Sequence, residues 1–412
     1  MRGTRVWARL LGLGAAVVEG VRWGDEGELV VAVRPRWSER DRCGICRRRS
    51  PGFDLGEGRR RWRALDLGST RAFVEADAPR VRCPEHGVVV CAVPWARHAS
   101  RFVRCFEDQV CWLAVHTSKS AVAELMRVAW RTVGGICERV LAEAERADPG
   151  RLDGLRRIGI DEISYRKGQR YLTVVVDHDT GRLVWAAPGA NADVLDGFFA
   201  LLGAKRCARI ELISADMGAW IAKAARTACP RAELCLDPFH VVALATEALD
   251  EIRREVWNEA RRAGQTETAR ELKGARWALW KNPEALTGRQ TAKLAQIQQT
   301  NKRLYRAYLL KEQLRELFRL PAADAIALLD RWIAWARRCR LAPFVRLAKT
   351  LTEHWTGVAA SLLHGLSNAR TEAANTRIRL IARRAFGFHS PDALIALARL
   401  TLGGHCPPLP GR

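Results

Sequence analysis

Three acidic residues, far apart in the sequence, have the types and local settings that can hold metal ions. Asp161 ends a strand-like run at 159–161, and Asp216 ends a second one at 210–216. Glu372 lies in a helix-like stretch at 367–375. Two strand-end aspartates and a helical glutamate can hold two divalent cations about 4 Å apart, an arrangement suited to phosphoryl transfer on nucleic acid. Hard oxygen ligands favour magnesium, with manganese as a substitute.

The strands around these acids decide which carboxylates can meet. Successive side chains on a strand face opposite ways, so Asp161 and the adjacent Glu162 cannot both face one pocket. We choose Asp161, because isoleucines at 158, 160 and 163 make its strand internal. Asp216 ends the next strand after a helix, where ligand sites in such sheets gather.

Each acid also has an ordinary explanation. Asp216 could cap the helix from Gly218, and Asp161 and Glu372 could pair with nearby arginines. Three acids at such points favour the metal site, because acids are rarely buried unpaired.

Other side chains near these acids are candidates for supporting roles. Asn368 and Asn375 share a helix face with Glu372, and Arg379 and Arg383 continue that helix toward a DNA backbone. In the segment 237–240, His240 could orient a phosphate or support Asp216. It could equally be a helix-start histidine bonded to Asp237, and the sequence leaves both roles open.

A two-plus-two set of metal ligands lies near the start: Cys43, Cys46, Cys83 and His86. Two ligands three residues apart can hold one metal from a tight turn, and two such turns complete a tetrahedron around zinc. Cys91 is an alternative fourth ligand, and two chance pairs are the ordinary explanation. Between the halves, we expect a basic loop that contacts phosphate through Arg59, Arg60 and Arg61; a solvated loop is the alternative.

A helix-turn-helix candidate follows this cluster. Residues 119–126 predict a short positioning helix, and residues 128–136 open a recognition helix. This places three side chains where base edges are reached: Trp130, Arg131 and Thr132. The expected shared core of the two helices consists of Val122, Leu125, Val133 and Ile136. Helix pairs of this sort also occur in cores that bind no DNA.

The remaining pattern predicts five segments. Residues 1–100 form the zinc-binding module and residues 101–150 the helix-turn-helix domain. Residues 151–250 alternate strands and helices, including a hairpin of strands 171–177 and 183–187. Residues 251–360 read as an all-α insertion, and residues 361–412 supply the final core helix and a tail.

Composition limits the function classes. The chain of 412 residues has 68 Lys and Arg against 45 Asp and Glu, a net charge of +23. Such an excess most often indicates a polyanionic partner, because each neutralised phosphate releases counterions; membrane surfaces and ribosomes compete with DNA for this role. No apolar run approaches the roughly 20 residues of a membrane span. Twelve cysteines, scattered singly outside one cluster, favour a reducing cytoplasm.

At these residues the chain resembles bacterial insertion-sequence transposases of the ISL-three family. The resemblance covers nearly the whole chain and is carried by the zinc motif with residues 93–97, the helix-turn-helix, and the segments 159–168, 214–217, 237–241, 367–375 and 383–388. It implies a multidomain α/β protein in which an N-terminal zinc-binding module and a helix-turn-helix precede an RNase H-like catalytic domain with a long all-α insertion.

The resemblance also implies an activity. Asp161, Asp216 and Glu372 match a DDE triad, and Asp237 and His240 match an Asp-x-x-His element. The implied activity is cleavage at terminal inverted repeats of double-stranded DNA and strand transfer into target DNA. We expect a homodimer or higher oligomer on DNA, associated with the nucleoid in the cytoplasm. A non-catalytic DNA-binding regulator derived from such an enzyme, or a structure-specific nuclease of the same fold, are the alternatives.

Overall fold

Contacts along the chain divide the protein into two compact units. The structure is a computed structural model that describes residues 3–411. One unit comprises Met1–Pro149 with Leu380–Arg412, and the other comprises Gly150–Arg379. This contact division falls within the segment 361–412. Its part from Leu380 onward groups with the N-terminal residues, because its last helix packs against helices there.

The N-terminal unit combines two small sheets with a helical group. Its strands and helices in chain order are α1 (Gly3–Leu10), β1 (Ala16–Trp23), β2 (Leu29–Pro35), β3 (Gly52–Asp54), β4 (Arg59–Arg63), β5 (Ala72–Asp77), β6 (Arg80–Cys83), β7 (Gly87–Val90), α2 (Arg104–His116), α3 (Lys119–Leu125) and α4 (Trp130–Ala147). The first sheet has the order β1-β2-β5-β4, and the second has the order β3-β6-β7.

The prediction of a basic loop around Arg59, Arg60 and Arg61 is wrong, because these residues form strand β4. This strand pairs antiparallel with β5 from Arg59 opposite Asp77 to Arg63 opposite Phe73. Trp62 is buried and contacts Trp95 edge-on, with ring centroids 5.6 Å apart. A buried tryptophan gives the strand one apolar side, which the alternation of arginines around it obscures in the sequence.

The second unit is built on one mixed sheet. Its strands are β8 (Arg157–Arg166), β9 (Arg170–Asp177), β10 (Leu183–Pro188), β11 (Leu212–Ala215) and β12 (Glu233–Leu236). The order is β10-β9-β8-β11-β12. β9 runs antiparallel to both of its neighbours, whereas β8, β11 and β12 are parallel. This order and these directions are those of an RNase H-like fold, and the predicted hairpin is confirmed by β9 and β10.

Helices complete this unit. Those that follow the hairpin are α5 (Ala192–Leu202), α6 (Ala204–Cys207) and α7 (Ala219–Ala228). The helical insertion contains α8 (Pro238–Arg262), α9 (Thr266–Gly274), α10 (Arg276–Trp280), α11 (Gly288–Thr300), α12 (Lys302–Glu316), α13 (Ala322–Arg338), α14 (Ala342–Glu353) and α15 (Trp355–His364). It has its own apolar core, in which Trp332 is fully buried and donates its indole N–H to Leu310 O.

Two helices end the chain. α16 (Ala369–Arg384) crosses the division between the units, and α17 (Pro391–Leu402) packs against α2 and α4. Within residues 3–411, no helix has the length and apolar character that a membrane crossing requires. All twelve cysteines lie in this described part of the chain and are free thiols there.

Candidate active site and zinc centre

The alternation of side chains along β8 separates Asp161 from Glu162. Ile158 and Ile160 face the core formed with α5 and α7, and Glu162 lies on that side, bonded to Trp220. Gly159 faces the other way, since a Cβ atom built on it would lie 2.1 Å from Thr371 Oγ1. Asp161 therefore faces α16, the helix that carries Glu372.

Both carboxylate oxygens of Asp161 accept hydrogen bonds. Oδ1 accepts from the backbone N–H of Glu162 at 2.7 Å, and Oδ2 accepts from the side-chain amide of Asn375 at 2.7 Å. Burial raises the pKa of Asp161 to about 6, and the negative charges of Asp216 and Glu372 add to that rise. A carboxylate held in this way is oriented but not neutralised, which suits a ligand for a cation.

Asp216, Asp237 and His240 form a tight cluster at the ends of β11 and β12. Nδ1 of His240 lies 2.9 Å from Asp237 Oδ2 and 2.9 Å from Asp216 Oδ1. Both contacts have hydrogen-bond length, so the two carboxylates share the N–H of Nδ1. The two carboxylates raise the pKa of His240 to about 10, and Asp216 has the larger effect. The imidazole is then protonated at neutral pH, and both roles suggested by the sequence remain compatible with its position.

Helix α16 brings Glu372 to the same place. Burial raises the pKa of Glu372, and the nearby charges of Asp237 and Asp216 raise it further, while His240 and Arg379 lower it. Asn368, one turn earlier, donates its backbone N–H to Asp237 Oδ1 at 3.0 Å. The helix is thus joined to the sheet on both sides of Glu372, by Asn368 to Asp237 after β12 and by Asn375 to Asp161 within β8.

A buried polar network under α16 was missed in the sequence. Nε2 of His178 lies 2.7 Å from Ser214 Oγ, and Ser214 donates to Asn368 Oδ1. Because the hydroxyl proton of Ser214 goes to Asn368, His178 must donate from Nε2. Burial lowers the pKa of His178 to about 4, and the positive charge of Arg370 is the next largest cause of this shift. The ring is therefore neutral. Only the helical spacing of Asn368 and Asn375 pointed to this network.

A cleft opens beside Asp216. It has a volume of about 700 Å³ and runs between α7 and α15, with Met217, Lys223 and Arg226 among its lining residues. Lys223 and Arg226 are exposed, lie three residues apart on α7, and have no acidic partner within 4 Å among the described residues. This basic edge offers phosphate contacts next to the acids.

The predicted zinc ligands come together in the N-terminal unit. The ligand atoms of Cys43, Cys46, Cys83 and His86 all lie within 4.8 Å of one another. Cys46 Sγ is 3.7 Å from Cys83 Sγ, and His86 Nδ1 is 3.6 Å from Cys83 Sγ and 3.8 Å from Cys43 Sγ. Zinc–sulfur bonds of about 2.3 Å in a tetrahedron place two sulfurs about 3.8 Å apart. The four side chains therefore fit a zinc ion.

Protonation distinguishes these ligands from Cys91. Burial would raise the pKa of Cys83, but the His86 ring and backbone N–H groups lower it to about 6, which favours the thiolate that zinc requires. Burial raises the pKa of Cys91 to about 11, and Cys91 stands outside the four-ligand group.

The helix-turn-helix has the predicted helices but a slightly different core. Ser118 caps α3 by accepting from the Ala121 N–H at 3.2 Å, and α4 begins at Trp130. Val122, Val133 and Ile136 are fully buried, as expected. The prediction for Leu125 is wrong, because it is 64% exposed and Met126 is buried in its place. Helix α3 ends at Leu125, so the next residue turns into the core.

The three residues at the start of α4 have different surroundings. Trp130 is half-buried, with Lys119 Nζ 3.4 Å from its ring centroid and the His389 ring 5.5 Å away. Arg131 is exposed and Thr132 is half-buried. Of the three, Arg131 is therefore the side chain most open to a partner.

The other basic residues predicted to bind DNA fall into two groups. Arg61 pairs with Glu28 and Glu75 at 3.0 Å each, Arg59 pairs with Glu75 at 3.5 Å, and Arg60 donates to Ser100 O. The glutamates reduce the positive charge that Arg59 and Arg61 can offer, and the bond to Ser100 O occupies one N–H of Arg60. Arg379 and Arg383 are exposed on α16 and continue past the acids.

Comparison with known proteins agrees with this architecture. A family model for transposases of the ISL3 type with a DDE catalytic domain matches residues 158–398. The helix-turn-helix domain of the ISL3 transposase family matches residues 91–141. The zinc finger of the transposases of IS204, IS1001, IS1096 and IS1165 matches residues 39–86.

Relatives extend the match along the chain. The transposase for insertion sequence element IS1557 of Mycobacterium tuberculosis is 53% identical, over all of this chain and 98% of its own length. The transposase for IS1001 of Bordetella parapertussis is 27% identical, over 84% of this chain and 85% of its own. The chain combines a zinc ribbon, a helix-turn-helix and an RNase H-like core with acidic residues. This combination defines a DNA-processing enzyme of the transposase class. The chain belongs to the ISL3 family of insertion-sequence transposases.

Proposed function

We propose that this protein binds the terminal inverted repeats of an insertion sequence, cleaves the DNA there and joins the 3′ ends to target DNA by two-metal phosphoryl transfer. The observation that supports the proposal is that the charge of Asp216 reaches both Asp161 and Glu372, beside a cluster in which the ligand atoms of Asp216, Asp237 and His240 lie within 4.8 Å of one another. Burial raises the pKa values of Asp161 and Glu372, and the negative charge of Asp216 raises both further.

The donor set fits magnesium. All three acids present hard oxygen atoms, the ligands that magnesium prefers, and Asp216 Oδ1 lies 2.9 Å from Nδ1 of His240. When bound, two magnesium ions, or manganese in their place, would activate a hydroxyl nucleophile and stabilise the leaving oxygen. Asp161, Asp216 and Glu372 would hold these ions.

The neighbouring side chains hold this arrangement in place. Asn375 orients Asp161, and Asn368 fixes Asp237, which in turn holds His240 against Asp216. The protonated His240 limits the negative charge that Asp216 adds to the site. Lys223 and Arg226 line the adjoining cleft, where they would contact the backbone of the strand whose phosphate reacts.

The N-terminal unit supplies sequence-specific binding in this proposal. Zinc held by the cluster of three cysteines and His86 stiffens the ribbon, and Trp130, Arg131 and Thr132 at the start of α4 read the repeat. Arg379 and Arg383 contact the DNA backbone, and Arg59, Arg60 and Arg61 contribute less because of their protein partners. Two repeat ends must be brought together, so we expect a homodimer or higher oligomer acting at the nucleoid in the cytoplasm.

The deciding experiment measures cleavage of a labelled duplex that carries the terminal repeat of the flanking insertion sequence. Wild-type protein should nick it at the repeat boundary in magnesium or manganese. Asp216→Asn should abolish nicking and keep repeat binding. Glu162→Gln is the matched control, because it removes the adjacent acid that faces the opposite side of β8, and it should still cleave.

Each alternative function has its own outcome. Tight binding of the repeat without cleavage by the wild type in either metal would support a regulator derived from a transposase. Cleavage of branched DNA in preference to the repeat would support a structure-specific nuclease. Loss of repeat binding in folded Asp216→Asn would count against separate binding and catalytic sites.

A further inference from the structure

An exposed phenylalanine stands between two residues of the acidic cluster. Phe239 is 66% exposed, whereas Asp237, two residues earlier, is 2% exposed. Asp237 and His240 turn toward Asp216 through the contacts of His240 Nδ1. Phe239 therefore points away from the core at the point where its neighbours point into the site.

The backbone under Phe239 is held firmly. It lies in the first turn of α8, directly after Pro238, whose ring fixes the helical φ angle. Asp237 is bonded on one side to the Asn368 N–H and on the other to His240. The Phe239 ring meets the His240 ring edge-on, with centroids 5.9 Å apart. One imidazole thus separates this ring from Asp216.

Folding does not account for Phe239. The apolar residues that attach α8 to the insertion core are on other positions of the helix, among them Val241, Ala245 and Leu249, all fully buried. A large aromatic side chain left in water contributes little to the free energy of unfolding. A flat, rigidly placed ring next to a phosphoryl-transfer site has a matching partner in a nucleotide base.

We propose that Phe239 stacks on an unpaired base next to the scissile phosphate and so holds the DNA end open at the acids. This inference rests on the proposed function, since it assumes that DNA reacts at Asp161, Asp216 and Glu372. A phosphate bound by these acids brings its flanking bases to the His240 side, where the ring of Phe239 is accessible. Stacking needs only the face of a base, so this contact adds no sequence preference.

The first measurement detects base unstacking without cleavage. The Asp216→Asn protein is bound to repeat duplexes with 2-aminopurine on either side of the cleavage position. Fluorescence should rise at one of these positions when the protein binds, because the base leaves the duplex stack. Adding Phe239→Ala or Phe239→Leu should remove that rise, and Phe239→Tyr should keep the base unpaired. Leu201→Ala is the matched control, because Leu201 is another exposed apolar residue, at 48%, on α5.

The second measurement uses substrates in which the base is already unpaired. With Asp216 intact, Phe239→Ala should cleave the paired repeat roughly tenfold or more slowly, in line with the loss of one stacking contact. A mismatch at the responsive position should restore most of that rate. Purely structural damage would not be repaired by a change in the DNA.

The outcomes separate this inference from the proposed function. Equal fluorescence in all variants, or no rescue by the mismatch, overturns the stacking role of Phe239, while metal-dependent nicking by the wild type leaves the transposase assignment intact. A change of oligomeric state in Phe239→Ala without DNA would show that the ring contacts a second copy of the chain and would also overturn it.

Discussion

The side-chain amide of Asn375 donates a 2.7 Å hydrogen bond to Oδ2 of Asp161, across 214 residues of sequence. It joins the helix that carries Glu372 to the central strand that carries Asp161. Asn375 and Glu372 are three residues apart on α16, so they lie on one face of that helix. The relative placement of two of the three acids therefore depends on one amide.

Removing that amide tests whether Asn375 positions Asp161. We expect Asn375→Ala to lower cleavage of the repeat duplex by about ten- to a hundredfold, the usual cost of losing a residue that orients a metal ligand. The loss should shrink as magnesium is raised, because the variant weakens metal binding. Asn375→Asp should be worse, since it adds a further negative charge beside Asp161. Unchanged magnesium dependence in folded Asn375→Ala would contradict the positioning role.

The close approach of α16 to β8 at Gly159 is a second requirement for the site. A Cβ atom on Gly159 would lie 2.1 Å from Thr371 Oγ1 and 2.8 Å from His178 Nε2. Gly159→Ala should push the helix from the strand and abolish cleavage, with repeat binding by the N-terminal unit retained. Gly197→Ala, on α5, has open space around its Cβ and should cleave normally. Cleavage by Gly159→Ala near the wild-type rate would mean that the helix can shift without loss.

The sequence predicted the parts of this site that depend on local pattern. Asp216 directly follows β11, as expected, but the prediction that Asp161 ends a strand is wrong, because β8 continues to Arg166. Helical spacing places Glu372 and Asn375 on one face of α16, and Asn368 lies directly before its first residue. The sequence could not predict His178 and Ser214, because His178 contacts Ser214 across 36 residues and Ser214 bonds to Asn368, just before α16, across 154 residues. The same limit applies to β4, where the glutamate partners of the arginines come from other strands. Long-range pairing leaves no local signal in a single sequence.

We predict that Cys43 is required for zinc binding and that Cys91 is not. Cys43→Ser should lose bound zinc, measured by metal analysis of the purified protein, and should weaken repeat binding because the ribbon loses its cross-link. Cys91→Ser is the matched control and should keep one zinc per chain, since Cys91 stands outside the four-ligand group. Full zinc content in Cys43→Ser, or zinc loss in Cys91→Ser, would show that the ligand set is different.

The buried neutral ring of His178 makes stability depend on pH. Its pKa is about 4 in the folded protein, below the ordinary value of 6.5. Between these values the unfolded chain binds the proton more readily, so the free energy of unfolding falls as pH drops from about 6.5 to 4. We expect His178 to contribute about 2–3 kcal/mol of that loss. The free energy of unfolding, measured with denaturant at pH 7.5 and 4.5, should differ less between the two pH values in His178→Gln than in the wild type. An equal difference in both proteins would show that another group is responsible for the pH dependence.

The contrast between Arg131 and Arg61 tests where DNA is held. Arg131 is exposed at the start of α4, whereas Arg61 is already paired with Glu28 and Glu75. If Arg131 contacts a phosphate, Arg131→Ala should weaken repeat binding and reduce the slope of log K against log salt by about 0.9, because one fewer counterion is released. Arg61→Ala should change that slope little, since its charge is balanced within the protein. A larger effect of Arg61→Ala in binding titrations over a range of salt would show that its ion pairs open on DNA and that β4 lies in the interface.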